Sequence, residues 1–189
     1  MEPSSCVAPA DPSAGLLANG PVAAVLGDIR TAYSMLVRQG VLHGLMLCDA
    51  DARVLAVDPF FDKKISTWDL AALAAASFGV AKQARLFFDA LGAKELERGA
   101  MVFDGLQLFV AQAGKVASSD SERNRDRELL LVVLATKDAN FGLITLQMKK
   151  YAPKMEELVA EEGRQRVLDL PERDLHFFLT GSRSGGMFH

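Results

Sequence analysis

Seven consecutive apolar residues, Leu129-Leu130-Leu131-Val132-Val133-Leu134-Ala135, leave this chain no polar face over the length of a strand. A strand of that kind is stable only at the centre of a sheet with both faces covered. The chain must therefore supply further strands on either side and helices above and below. Two hairpins meet the first need. Val41–Cys48 is an apolar run of strand length, Asp49-Ala50-Asp51-Ala52 is a turn, and Arg53–Val57 is a second strand. Residues 99–103, with Glu95 as the earliest start, form a third strand. Asp104-Gly105 is the preferred type I′ dipeptide, and Leu106–Ala113 returns as a fourth strand.

Three segments meet the second need. Val22, Val25, Leu26, Ile29, Tyr33, Leu36 and Val37 recur at three-and-four spacing across 22–39, with Pro21 at the first turn and Gly40 as the stop. Ser66 and Asp69 resemble a capping box for an alanine-rich helix reaching about Phe88. Asn140 caps a last helix to about Glu162, which Pro153 kinks or divides. The polar stretch 114–127, whose cations and anions balance once Glu128 is included, is expected to be an exposed loop. The expected fold is α+β: a five-stranded antiparallel sheet flanked by helices, in the order α-β-β-α-β-β-β-α. A Pro-, Ala- and Ser-rich tail over 1–20 precedes a domain at 21–162, and 163–189 is a second tail with one apolar run, Leu175–Leu179.

Composition narrows the function. Half of the 189 residues are hydrophobic and 24% are charged, as in a globular protein. The net charge of −3 argues against a nucleic-acid binder. No apolar run is long enough to span a membrane, and the N-terminus lacks the basic and apolar regions of a secretory leader. With only Cys6 and Cys48, the expected setting is reducing and cytoplasmic.

Chemistry finds little support. The phosphate-loop, dinucleotide and nucleophile-elbow patterns do not occur. His43, inside an apolar strand, reads as a core or half-exposed histidine, and with His176 and His189 it shows no ligand spacing. Asp49 and Asp51 read as turn chemistry ahead of a cation site, because Asp bonds its own backbone in turns. Glu156-Glu157 and Glu161-Glu162 read as a solvated helix face. No catalytic residue, cofactor or metal site is expected.

The second helix points to a partner. Leu70, Leu73, Ser77, Ala81, Ala84 and Phe88 suit the sheet, whereas Trp68, Ala72, Ala75, Gly79, Lys82 and Leu86 leave a face of mostly small residues. A second helix could approach closely there, and an identical one in a two-fold dimer is the economical choice. Phe60-Phe61 either tucks under its loop or forms a contact patch.

The segments VLHGLMLCDADARVLAV, DLAALAAASFGVAKQA, GAMVFDGLQLFVAQA, ELLLVVLAT and NFGLITLQMKK, in this order, resemble the roadblock (dynein light chain) family across residues 22–160. Ala52 stands where that family usually has Gly in the first turn, and both tails are additions. The resemblance implies a roadblock/profilin-like module that pairs with itself or with a related roadblock protein through second helices and third strands. Here that means Ala72, Ala75, Ala76, Gly79, Met101 and Phe103. It further implies a non-enzymatic adaptor or regulator of a Ras-like small GTPase, as in bacterial cell polarity, with Trp68, Lys82, Gln83 and Leu86 facing the GTPase. Positioning of the GTPase's own residues is favoured over an arginine finger from Arg85. Two other classes stand beside this. One is a ligand-sensing module of PAS or profilin type using Tyr33 and His43, and the other is a structural subunit docking through Leu175–Leu179.

Overall fold

The computed structural model describes residues 20–92, 95–116 and 126–168. The tail over 1–19, most of the polar stretch (117–125) and the apolar run 175–179 lie outside the described residues. In chain order the elements are helix α1 (Pro21–Leu36), strands β1 (Leu42–Asp49) and β2 (Val54–Val57), helix α2 (Thr67–Ala84), and a 3-10 segment (Arg85–Leu91). Strands β3 (Arg98–Val102), β4 (Leu106–Val116) and β5 (Arg127–Thr136) and helix α3 (Phe141–Leu168) follow.

The five strands form one sheet in the order β2-β1-β5-β4-β3, and every neighbouring pair is antiparallel. The all-apolar strand β5 is central, as its sequence requires. Its side chains alternate between two cores. Leu129, Leu131, Val133 and Ala135 pack with α1 and α3 through Leu26, Ile29, Tyr33, Ile144, Met148 and Met155. Leu130, Val132 and Leu134 pack with α2 through Leu70, Ala71, Ala74 and Phe78. Each face is thus covered, but by two helices on one side and a single helix on the other.

Local chemistry sets the element ends. Pro21 opens α1, and Val37 closes it by donating its N–H to Tyr33 O. Gly40 lies beyond the helix at φ 83°, where its missing side chain lets the chain pass against Ala139. Ser66 Oγ accepts the N–H of Asp69 at 3.2 Å, and Asn140 Oδ1 accepts that of Leu143 at 2.9 Å, so both expected caps form. The Tyr33 hydroxyl accepts the Asn140 N–H at 2.8 Å and ties α1 to the start of α3.

Four local expectations change. The turn at Asp104-Gly105 is not type I′: Gly105 has φ 86°, but Asp104 does not enter the left-handed region that type I′ demands of both residues. Strands β4 and β5 run to Val116 and back from Arg127, so the ladder consumes both ends of the expected loop. Helix α3 is continuous through Pro153 to Leu168. The α-helix of α2 stops at Ala84, and the next residues tighten into the 3-10 segment, closed by Gly92 at φ 78°.

Candidate functional site

Helix α2 and the neighbouring edge of the sheet carry the features that point outward. The buried stripe of α2 is Leu70, Ala71, Ala74 and Phe78, at spacings of three and four. This differs from the expected stripe through Leu73, Ser77, Ala81 and Phe88. Leu73, Ala81 and Phe88 are exposed, and Ser77 is half-buried with its hydroxyl bonded to Ala74 O. The physical reason is the alanine content. With so few large side chains, the helix rotation is set by where Leu70 and Phe78 find depth in the sheet, and the apolar pattern hardly distinguishes the alternatives.

Rotation about that stripe exposes Ala72, Ala76 and Gly79 and leaves Ala75 half-buried. A Cβ built on Gly79 meets nothing within 4 Å, so this glycine serves no packing need inside the domain. Exposed Leu73 and Val80 flank these small residues, and Val80 is 73% exposed. The 3-10 segment adds Leu86 (70% exposed), Phe87 (85%) and Leu91. Of the expected GTPase-facing residues, Trp68, Gln83 and Leu86 are exposed. Lys82 is only partly so: its Nζ lies 2.5 Å from Glu128 Oε1, which also accepts Gln112 Nε2 at 3.3 Å. Lys82 therefore anchors α2 to β5. The side chain of Arg85 lies outside the described residues.

Strand β3 forms one edge of the sheet, and its far side has no strand partner among the described residues. It packs beside α2, with Met101 half-buried against the α2 core and Phe103 exposed just past the strand end. Of the expected pairing residues, Ala72, Ala76, Gly79 and Phe103 are exposed, whereas Ala75 and Met101 are half-buried. The exposed apolar side chains of α2, the 3-10 segment and the β3 end include Leu73, Val80, Leu86, Phe87 and Phe103.

Most of the remaining candidates have contacts within the domain. Asp49 is buried, and its Oδ1 accepts the N–H groups of Asp51 (3.0 Å) and Arg53 (2.9 Å), which folds the β1–β2 turn. Arg127 lies 3.5 Å from its other oxygen. His43 is half-exposed on β1, with Nδ1 3.7 Å from Asp62 Oδ2. Glu156 is not merely a solvated residue of α3: its Oε1 accepts the Lys115 N–H at 3.0 Å. Phe61 tucks over Gly44, whereas Phe60 is 71% exposed. Cys48 is buried in the α2 core, where loss of water, reinforced by neighbouring Asp49, pushes its thiol up to about 12.

Two features escaped the sequence reading. The exposed Phe87 and Leu91 lie in a segment whose sequence gives no sign that the α-helix tightens at Arg85, although Gly92 marks where the chain turns. The groove between α3 and the β3 edge has no sequence signature, because its lining comes from residues far apart in the chain. It encloses about 300 Å³ and is lined by residues including Arg98, Ala111, Lys149, Ala152 and Pro153.

No protein-family model and no curated protein matches the chain. Solved structures do. A roadblock/LC7 domain from Streptomyces avermitilis is similar with a TM-score of 0.51 and 21% identity, over 69% of this chain and 96% of that one. The gliding protein MglB from Thermus thermophilus has a TM-score of 0.53 and 19% identity, over 76% of this chain and 94% of that one. A further MglB structure, described with a tetrameric arrangement, has a TM-score of 0.53 and 20% identity, over 76% and 93%. The five-stranded antiparallel sheet with its flanking helices is thus the roadblock/LC7 fold that the sequence resemblance implies.

Proposed function

We propose that the chain is a non-enzymatic, dimeric adaptor that regulates a Ras-like small GTPase. The observation that carries this reading is the outward face of α2. Ala72, Ala76 and Gly79 form a strip of small residues flanked by exposed Leu73 and Val80, beside the unpaired edge of β3. A helix bearing that strip can approach a second copy of itself closely, and two β3 edges can join by main-chain hydrogen bonds. Met101 and Phe103 then close the seam. The fold shared with MglB, one structure of which has a tetrameric arrangement, supports self-association.

Trp68, Gln83 and Leu86 remain exposed around the strip and supply the GTPase-facing surface, with Lys82 contributing after release from Glu128. Regulation follows if this surface binds the GTP-bound switch regions more tightly than the GDP-bound ones, because differential affinity alone shifts a population. The domain at 21–162 and a cytoplasmic setting belong to the same reading. Among the described residues, no helix is long and apolar enough to cross a membrane.

The test measures binding to a Ras-like GTPase from the same genome, loaded with a GTP analogue or with GDP. The reading expects a complex with the GTP analogue, weakened at least tenfold by Leu86→Ala with Trp68→Ala, a loss of about 1.4 kcal/mol. Equal or no binding in both nucleotide states contradicts it.

A further inference from the structure

Strand β3 is bare on the side opposite α2. Its register pairs Arg98 with Ala111, Ala100 with Phe109 and Val102 with Gln107. Ala100 and Val102 therefore share the sheet face of Phe109 and Ala111, which α3 covers only over β4. Both are exposed, Val102 by 63%. A groove of about 300 Å³ lies between the start of β3 with β4, at Arg98 and Ala111, and the flank of α3 formed by Thr145, Lys149, Ala152 and Pro153. An apolar sheet face left bare beside a helix calls for a covering segment.

The chain itself contains one. Outside the described residues, the polar 117–125 stretch has no bulky apolar cluster, and residues 1–19 have no aromatic residue. Residues 169–189 contain Leu175-His176-Phe177-Phe178-Leu179. The geometry of reach fits. From Leu168 back to Pro153 and Thr145, helix α3 spans about 22 and about 35 Å at ~1.5 Å per residue. Extended chain from Leu168 to Leu175 and Leu179 spans at most about 23 and about 36 Å at ~3.3 Å per residue. Pro171, shortly after the helix, favours a break in its direction. A turn there shortens the reach, but the bound of about 36 Å to Leu179 still exceeds the about 22 Å back to Pro153.

We infer that Leu175–Leu179 folds back along α3 and covers the shelf of Ala100 and Val102, with its rings in the adjoining groove. This is an intramolecular contact on the face opposite α2, and it is independent of the dimer and of the GTPase. It makes the segment after α3 part of the folded domain.

The test uses the full chain with Cys6→Ser and Ala100→Cys, carrying a nitroxide on the introduced thiol. Cys48 is buried and stays unlabelled. In nuclear magnetic resonance spectra, residues 175–179 are expected to lose most of their peak intensity while residues 184–189 keep theirs. Phe177→Ser with Phe178→Ser should restore the intensity of the remaining 175–179 signals. Full intensity at 175–179, equal loss along the whole of 169–189, or loss that persists in the double variant would each overturn the inference. So would loss appearing only when the labelled and observed copies are different molecules, which would assign the shelf to a second copy.

Discussion

Lys82 on α2 and Glu128 on β5 meet with Nζ 2.5 Å from Oε1, so the one cation expected on the partner-facing side of α2 is held to the sheet. The contact is a polar tie added to a helix whose rotation Leu70 and Phe78 set. The lysine side chain is 44% exposed, so solvent screens the pair. A double-mutant cycle of Lys82→Ala and Glu128→Gln by urea unfolding should give a coupling below about 1 kcal/mol, falling with added salt. A coupling several times larger would mean that the pair carries the helix.

Gly44 is a close-approach position. A Cβ there would lie 2.5 Å from Phe61 Cε2. Gly44→Ala should cost about 1–3 kcal/mol in unfolding free energy, as overpacking does, and Phe61→Leu should recover part of it. An unchanged denaturation midpoint would show that Phe61 does not seat on β1.

Ala52 holds φ 63°, a left-handed conformation that costs a Cβ-bearing residue about 1–2 kcal/mol. Ala52→Gly should therefore stabilise the domain by up to about 1 kcal/mol, the gain being offset in part by the greater freedom of the unfolded glycine chain. Thermal unfolding of the two forms checks the sign, and a lower midpoint for the glycine form would contradict it.

Cys48 links stability to alkaline pH. Its folded thiol is pushed from 9.0 to about 12, so between these values the unfolded chain releases a proton that the folded chain retains. The contribution is complete below pH 9 and is lost as pH rises through the interval. In a Cys6→Ser background, the native thiol should resist alkylation at pH 8 and stability should fall above pH 9. Stability changes at those pH values should shrink in Cys48→Ala.

How much of this was legible in the sequence depended on the density of information in each segment. The apolar run at Leu129–Ala135 required the central strand, and the caps at Ser66 and Asn140 sit at the starts they signal. Helix α2 was legible as a helix but not in its rotation, because alanines offer nearly equal hydrophobicity to every face. Asp104-Gly105 marked the hairpin, but the turn type depends on backbone angles that the dipeptide only favours. Ala72 and Gly79 are exposed, as their spacing implied, whereas Ala75 of the same expected face is half-buried and Ala76, outside it, is exposed. Lys82 does not stand free with them, because Glu128 lies 46 residues away in the chain and no local pattern announces it. The shelf on β3 was illegible for the same reason: it exists only once α3 lies over β4.

The central claim is that the small-residue strip of α2 pairs two copies of the chain. Solution mass by light scattering tests it most directly, on the unmodified chain and on Gly79→Arg. Gly79 is exposed and open, so an arginine there leaves the monomer fold intact while blocking close helix approach. The account predicts twice the 20.4 kDa chain mass for the unmodified protein and a single chain mass for the variant. A single chain mass for the unmodified protein, or a variant that still doubles, would contradict it.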